Sequence, residues 1–263
     1  MLGVAVQRQD FLERLTGGPV HKRDLIDELG HSRSTVDRAI DSLTEAGLVE
    51  RVDGRFVATY GGRLVLDQLA ETRAVAETVA AAGATLNHLP TDVPRESRFF
   101  ADADVVSVEN SSPAEVLRGI SEVLERSDRF RGASFVANDD RFIDAIYERT
   151  VERAAMEVEF LMTPSLAAWL AANYPERMRP LAGSDHLACH VVESLPHAFY
   201  LAEREGETTA YLGVHSDQGN FVGYVENDTA AAVSWVESRW VAAREGATPL
   251  ARHLREAGEW PES

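Results

Sequence analysis

The segment HSRSTVDRAI, residues 31–40, carries hydroxyl and guanidinium side chains at a spacing that fits contact with nucleic acid. Ser32, Ser34 and Thr35 lie at the beginning of a predicted helix, where hydroxyls and free backbone N–H groups bind phosphate. Arg38 follows one turn later on the outward side, and arginine can contact guanine through two parallel hydrogen bonds. We therefore predict phosphate contacts from the three hydroxyls and a base contact from Arg38.

Five further basic side chains lie near this segment and are predicted to position the protein on a phosphate backbone. They are Lys22, Arg23, Arg33, Arg51 and Arg55. Backbone contacts of this kind fix register and orientation but do not read sequence. An alternative stays open, in which these cations pair with Asp37, Asp41 or Glu45 on a solvated face.

The surrounding residues predict helices that would present these side chains. QRQDFLERLTGG and HKRDLIDELG each have apolar residues at helical spacing, and glycine ends both segments. Ser32 is the predicted N-cap of the next helix. Its inward stripe is Val36, Ile40, Leu43 and Gly47. Its opposite face is Ser34, Arg38, Asp41 and Glu45.

The run GLVERVDGRFVATY alternates apolar and polar residues around Asp53-Gly54, which predicts a β-hairpin. Residues 8–60 resemble the winged helix-turn-helix of archaeal and bacterial regulators, most closely along STVDRAIDSLTEAGLVER. The resemblance implies that helix 32–46 enters the major groove of double-stranded DNA. It also implies that the hairpin lies along the backbone or minor groove.

A formal net charge of −17 opposes binding to a polyanion, but the charge is unevenly distributed along the chain. Residues 1–60 have a net charge of −2, and the remaining residues have −15. Lys22 is the only lysine, beside 25 arginines, which resembles the proteins of halophiles that accumulate salt. Such acidic surfaces keep a protein hydrated. An ordinary acidic mesophile protein is the alternative.

Concentrated salt would weaken the counterion-release contribution to DNA binding. Specific contacts would then have to supply more of the affinity. We hypothesise that bound cations also bridge Asp37 and Asp41 to phosphates.

Length and composition favour a cytoplasmic protein of one or two domains. No apolar run reaches 18 residues, so we expect no membrane association, and MLGVAVQRQDF is too short for a signal peptide. Cys189 is the only cysteine, which excludes an internal disulfide.

A helix is predicted from Arg63 to the residue before Pro90, with a small-residue seam at heptad spacing. The seam is Val65, Leu69, Thr72, Ala76, Val79, Gly83 and Leu86. We expect it to form a homodimer, the alternative being that it packs on the C-terminal domain of its own chain. The predicted domains are a DNA-binding domain at 1–61, a linker helix at 62–89 and an effector domain at 90–263.

Beyond residue 100, strands alternate with helices, which predicts an α/β domain with a mixed sheet and parallel pairing early in it. The predicted strands include DVVSVEN, ASFVAN, MEVEFLMT and HLACHVVES, and the tail after Gly246 is expected to be loose. This order, with YLGVHSDQGNFVGYVENDTAAAVSWVESRW, resembles the effector domain of methanogenesis-regulator-like archaeal proteins. That domain is distantly similar to TrmB-type sugar-sensing domains and to phospholipase-D-like folds.

Catalysis is not expected from this domain. Phospholipase-D-like enzymes need an H-x-K spacing, and His215-Ser216-Asp217 has no lysine. The set His186, Cys189, His190, Glu193 and His197 has metal-ligand residue types, yet a strand would divide it between two faces. We therefore expect no enzyme activity, metal or cofactor.

A small-molecule effector site is predicted where polar residues follow parallel strands. The candidate residues are Asn110, Ser111, Asn138, Asp139 and Thr163. The alternative is that these residues only cap helices. The predicted function is a homodimeric transcription regulator whose effector domain senses a metabolite or contacts partners. The alternatives are a DNA-binding scaffold without ligand, or a phospholipase-D-like-fold enzyme with a DNA-binding appendage.

Overall fold

A computed structural model of the chain describes residues 1–91, 93, 95–137 and 140–258. The chain divides into two units, Met1–Ala74 and Val75–Ser263. The functional domain limits at residues 61 and 89 stay a prediction.

The first unit contains the predicted helices and hairpin. Its elements are α1 (Leu2–Gln7), α2 (Gln9–Thr16), α3 (Lys22–Leu29), α4 (Arg33–Glu45), β1 (Val49–Val52), β2 (Arg55–Ala58) and the first part of α5 (Tyr60–Ala82). The side chains that the sequence places on inward faces are buried, among them Phe11, Leu25, Val36, Ile40 and Leu43. Burial of these apolar faces supplies most of the stability of such short helices.

Local signals set the boundaries of these elements. Gly30 ends α3 with φ 68°, and its N–H donates to the Ile26 carbonyl. The two turn residues Asp53 and Gly54 have φ of 48° and 79°, as the two-residue hairpin requires. Val20 and Phe56 exchange two backbone hydrogen bonds of 2.8 and 2.9 Å, which fasten the hairpin to the segment before α3.

The predicted linker helix ends earlier than expected. Helix α5 stops at Ala82, and Gly83 follows with φ 54°, before a short 3-10 helix at Thr85–His88. The heptad seam is not continuous either. Val65 and Leu69 pack on the core of the first unit, whereas Val79 is 49% exposed. The beginning of the seam thus packs on the first unit, and Leu86 at its end packs on a core of the second unit, as the alternative expects.

The second unit has the element order that the sequence predicts. It contains α6 (Ser97–Phe100), β3 (Asp104–Ser107), α7 (Pro113–Arg126), β4 (Arg129–Ser134), α8 (Asp140–Tyr147) with a π-helical turn (Glu148–Glu152), β5 (Glu157–Met162), α9 (Pro164–Asn173), α10 (Pro175–Ala182), β6 (Leu187–Val191), β7 (Ala198–Arg204), β8 (Glu207–His215), β9 (Phe221–Asn227), α11 (Ala230–Arg244), β10 (Thr248–Pro249) and α12 (Leu250–Glu256).

These strands form one eight-stranded mixed sheet in the order β10-β6-β5-β4-β7-β8-β9-β3. Only β4, β5 and β6 pair in parallel, and every other neighbour is antiparallel. Helices α7, α8, α9, α10 and α12 bury apolar residues against one face, and α6 and α11 cover the other. The predicted α/β class with a mixed sheet is confirmed.

Three details differ from the sequence-based expectation. The second strand occupies 129–134 rather than 133–138, and β3 is an edge strand that pairs antiparallel with β9. In the tail after Gly246, residues 248–256 form β10 and α12, where Leu250 and Leu254 are buried, and residues 259–263 lie outside the described residues. Two leucines four residues apart lie on one helix face, and burial of that face holds the tail.

Candidate nucleic-acid interface and ligand cavity

Helix α4 presents a polar face to solvent. Ser34, Arg38 and Asp41 are exposed, while Val36 and Ile40 on the opposite side are at most 1% exposed. The arrangement follows from the 100° rotation per residue. The outward face that the sequence predicts for this helix is therefore accessible to a partner.

Three hydroxyls meet at the N-terminus of α4. The Ser32 hydroxyl accepts a hydrogen bond from the backbone N–H of Thr35. It also lies 3.1 Å from the Ser34 hydroxyl and 2.9 Å from the Thr35 hydroxyl. The predicted phosphate-contacting hydroxyls thus form one cluster, in which Ser32 already serves as the helix cap.

Lys22 is bound within the chain. Its Nζ donates a 2.8 Å hydrogen bond to Asp37, lies 3.7 Å from Asp41, and is 5.4 Å from the centre of the Phe56 ring. The ammonium holds the pKa of the Asp37 carboxyl below its usual range, chiefly through this hydrogen bond. For Lys22 the structure shows the alternative that the sequence left open, pairing with acidic residues on α4.

Two other basic side chains also have local partners. The Arg23 Nε lies 3.2 Å from the carboxylate of the adjacent Asp24, although the Arg23 side chain is 81% exposed. The Arg55 Nε donates to His21 Nε2 at 3.3 Å. An exposed ion pair between adjacent residues is weak, so Arg23 stays available to an anion.

The other arginines of the predicted DNA-binding set form no ion pair within the described residues. Within the described residues, Arg33, Arg38 and Arg51 form no ion pair with a carboxylate. The Arg38 Nε donates to the Ser34 carbonyl at 3.1 Å, and the Arg51 guanidinium lies 5.9 Å from the Phe56 ring centre. These contacts orient Arg38 and Arg51. The pKa of Asp37, lowered chiefly by the Lys22 hydrogen bond, is lowered further by the charge of Arg33, so only Arg38 and Arg51 of these three keep an uncompensated charge within the described residues.

The structure does not bring the predicted effector-binding residues together. Asn110 and Ser111 follow the edge strand β3, whereas Thr163 follows β5, five strand positions away or about 24 Å. The Asn110 side chain reaches the Ala81 carbonyl at 3.5 Å. The Thr163 hydroxyl caps α9 by accepting from the backbone N–H of Leu166. Asn138 and Asp139 lie outside the described residues.

A cavity of about 350 Å³ lies between the sheet and helices α7–α10 and α12. Apolar side chains form most of its wall, among them Phe142, Phe160, Met162, Leu170, Met178 and Phe221. Within the described part of the chain, no lysine, arginine, aspartate or glutamate lines it. Ser134, Cys189, His190, Tyr200 and His215 are its polar residues. Protein interiors are otherwise close-packed, so a space of this size is a distinct feature of the fold.

His215 is the polar residue of this cavity that lacks a hydrogen-bond partner. It is 8% exposed, and its Nδ1 meets no donor or acceptor among the residues that the structure describes. The rings of Phe135 and Phe221 lie 5.1 and 5.2 Å from it. Burial lowers the pKa of His215 to about 4, so the imidazole is neutral near pH 7.

The sequence pointed to His215 only as an incomplete H-x-K spacing and not as part of a cavity. The other wall residues range from Leu117 to Ala251 and belong to many different elements. The signal available in the sequence was the alternation of side chains along β8, which places His215 on one face of its strand.

Cys189 and the remaining histidines of this region do not form a cluster. Burial raises the pKa of the Cys189 thiol to about 12, and His186 Nδ1 lies 2.6 Å from Glu157. No metal-binding group of three or more histidine, cysteine or acidic residues occurs in the described ranges. Across those same ranges, none of the helices is both long and apolar enough to span a membrane.

Two family models match the chain. The model of the middle domain of methanogenesis regulatory protein FilR1 matches residues 113–245, which is half of the chain. The model of the HVO_A0261 N-terminal domain matches residues 1–81. A search among curated proteins found no match.

Several solved structures share limited similarity with this one. TrmBL2, described as an archaeal chromatin protein with a novel mode of DNA binding, is 15% identical with a TM-score of 0.41, over 90% of this chain and 91% of its own. Nuc from Salmonella typhimurium, a phospholipase D family member, is 12% identical with a TM-score of 0.40, over 56% of this chain and 96% of its own. NucT from Helicobacter pylori is 11% identical with a TM-score of 0.41, over 56% of this chain and 98% of its own.

Proposed function

The chain belongs to the family of the FilR1 middle domain, and on that premise we propose that it is a sequence-specific DNA-binding transcription regulator. The resemblance to methanogenesis-regulator-like proteins that the sequence carries is confirmed by this match. The proposal concerns what the two units do. The first binds double-stranded DNA and the second controls that binding.

The observation that carries the proposal is the exposed face of α4 with Arg38, which forms no ion pair within the described residues. Arg38 projects from the middle of this face and has no acidic partner among the described residues. A guanidinium in this position can form two parallel hydrogen bonds to guanine in the major groove. Arg33 and the hydroxyls of Ser32, Ser34 and Thr35 lie nearer the helix N-terminus and would contact phosphate.

The hairpin supports the same orientation. Arg51 and Arg55 lie on β1 and β2, on either side of the turn, and both are exposed. In winged helix-turn-helix proteins such a hairpin contacts the DNA backbone or minor groove. Arg23 and Lys22 complete the set of positioning residues, and in the chain without DNA Lys22 is paired with Asp37.

We further propose that the cytoplasmic form is a homodimer that reads two half-sites. An effector bound to the second unit would favour one arrangement of the two DNA-binding units and so change operator affinity. The size of the change is set by the difference in effector affinity between the two arrangements. A scaffold without ligand would have no use for the cavity.

The test is selection of DNA from a random pool by the full chain at several KCl concentrations. We expect enrichment of a sequence with two related half-sites about 10 base pairs apart or a multiple of this. Arg38→Ala should weaken the enrichment at one position in each half-site. If no sequence is enriched at any KCl concentration, the proposed function is wrong.

A further inference from the structure

We propose that the cavity under the sheet binds a neutral, mostly apolar small molecule, which carries a hydrogen-bonding group that meets His215. As an effector site this deepens the proposed function and rests on it. The binding itself depends only on the chemistry of the cavity.

The volume and wall of the cavity match a small-molecule site. About 350 Å³ lies near the lower end of the range of roughly 300–1,000 Å³ for ligand pockets. The wall is lined by Phe142, Phe160, Phe221 and several aliphatic and methionine side chains. Apolar spaces of this kind take apolar molecules, because water finds too few hydrogen-bond partners there.

Charged ligands do not fit this wall. A phosphate or carboxylate needs an arginine, a lysine or several N–H donors, and no charged side chain lines the cavity within the described residues. His190 brings no charge into the cavity. It pairs with Leu161 of the core on the α11 side of the sheet, so its side chain points away from the cavity, toward Arg244 and Glu159.

Ligands with many hydroxyls do not fit either, because most polar groups of the wall are already engaged. The Ser134 hydroxyl donates to the Val136 carbonyl at 2.8 Å and is hydrogen-bonded to the Tyr200 hydroxyl. The Cys189 thiol is a weak hydrogen-bonding group. A sugar would lose its hydrogen bonds to water without replacing them, which is costly. A sugar, the ligand class of TrmB-type domains, therefore does not fit this cavity.

His215 supplies the polar contact that remains. Its imidazole lines the cavity, its Nδ1 has no partner among the described residues, and the ring is neutral because it is buried. A neutral imidazole offers one donor and one acceptor nitrogen. The ligand group can thus be a carbonyl, a hydroxyl or an amine.

The experiment uses N-phenyl-1-naphthylamine, a neutral fluorescent molecule with two aromatic ring systems and one amine, titrated into the full chain. We expect saturable fluorescence enhancement and a higher melting temperature of the second unit at saturation. Maltose and inorganic phosphate, each at about 10-fold excess over the probe, should produce no increase in melting temperature. Stabilisation by either of these, with none by the probe, would overturn the inference.

Cavity-filling variants locate the bound probe. Ala251 on α12 and Cys189 on β6 both line the cavity, and Ala251→Trp and Cys189→Phe should each lower probe affinity at least about tenfold. The matched control is Ala242→Trp, on the exposed side of α11 against the other face of the sheet. Unchanged affinity in both folded filling variants would place the probe on the surface and contradict the proposal.

His215→Phe tests the polar contact, since it keeps an aromatic ring of similar size. Affinity for the probe should fall several-fold, while affinity for naphthalene, which has no polar group, should be kept. Equal loss for both molecules would contradict the role of His215. If folding of the filling variants fails, the melting temperature of the wild-type chain with the probe still decides the outcome.

The two experiments distinguish a failure of this inference from a failure of the proposed function. If the probe binds and no DNA sequence is enriched, the inferred ligand class stands and the proposed regulatory function is wrong. If a DNA sequence is enriched and the probe does not bind, the proposed regulatory function stands and the inferred ligand class is wrong.

Discussion

The ammonium of Lys22 donates a 2.8 Å hydrogen bond to the carboxylate of Asp37, which ties the first residue of α3 to the middle of α4. Asp41, one turn further along α4, lies 3.7 Å from the same nitrogen. The sequence led to the hypothesis that solvent cations bridge these two aspartates to phosphates. In this structure the cation between them is the only lysine of the chain.

Asp37→Asn should therefore strengthen DNA binding. The substitution removes a negative charge beside the phosphates and releases Lys22 to contact one of them. We expect affinity to rise a few-fold, and the slope of log affinity against log KCl to become steeper by about one. Fluorescence anisotropy at several KCl concentrations measures both. Glu207→Gln, an exposed position in the second unit, is the control and should change neither. Weaker binding by Asp37→Asn would instead support a cation-bridging role.

Arg38→Ala should lower operator affinity by about 1–3 kcal/mol and relax specificity at one base pair. The reason is loss of a paired hydrogen bond to guanine, so Arg38→Lys should recover affinity but not specificity. Arg23→Ala is the comparison, because Arg23 is expected to contact only phosphate and should weaken all sequences equally. Binding to operators with single base substitutions measures the difference. Equal loss on every sequence would show that Arg38 contacts phosphate.

The first unit was predictable because its signals are local. The N-cap at Ser32, the left-handed Gly30 and the turn Asp53-Gly54 each depend on residues within a few positions of one another. Such signals survive in a single sequence, so α2, α3, α4 and the hairpin appear where they were expected, whereas α1 was not predicted. The pairing of Lys22 with Asp37 joins two elements, and the sequence could offer it only as an alternative.

The second unit shows what local signals leave open. Strand β3 lies at one edge of the sheet, five positions from β5. Asn110 and Thr163 are therefore separated although both follow strands. The cavity collects residues from Leu117 to Ala251, and its wall depends on how six or more elements pack. Helix α12 was missed because seven residues with only two leucines give a weak periodic signal.

Gly62→Ala should destabilise the first unit by about 1–3 kcal/mol. Gly62 is buried near the beginning of α5, and a Cβ there would overlap the backbone carbonyl of Leu48 and approach Leu12. Gly61→Ala is a matched control at the next position, where the added Cβ meets only the Thr59 hydroxyl at ordinary contact distance. That substitution should be neutral or slightly stabilising, because alanine favours helix. Urea unfolding of both variants measures the difference, and equal stability would contradict the close approach.

The buried His215 should make the second unit less stable in acid. Its pKa is lowered from 6.5 to about 4 in the folded chain, so the unfolded chain binds the extra proton first as pH falls. The stability that it contributes is complete above about pH 6.5 and is lost down to about pH 4, with an order of magnitude of 3 kcal/mol.

His215→Phe should remove this part of the pH dependence. Urea unfolding at pH 7 and pH 5 gives the change for each protein, and the variant should lose less stability between the two. His88→Phe, at an exposed position, serves as control and should follow the wild type. If His215→Phe and wild type lose the same stability, the imidazole titrates in the folded chain as it does in water.

Leu254→Ala tests whether the C-terminal helix is part of the second core. Leu254 is fully buried on α12, in the cluster that also contains Leu166 and Leu170 of α9. Truncation of a buried leucine removes apolar contacts and leaves a void, which costs about 2–5 kcal/mol. Val241→Ala, whose side chain is 67% exposed on α11, should change the unfolding free energy by less than about 0.5 kcal/mol. Because α12 also contributes Ala251 to the wall of the cavity, Leu254→Ala should weaken binding of the neutral probe as well. A stable variant with unchanged probe affinity would mean that α12 is detached in solution, as the sequence alone had indicated.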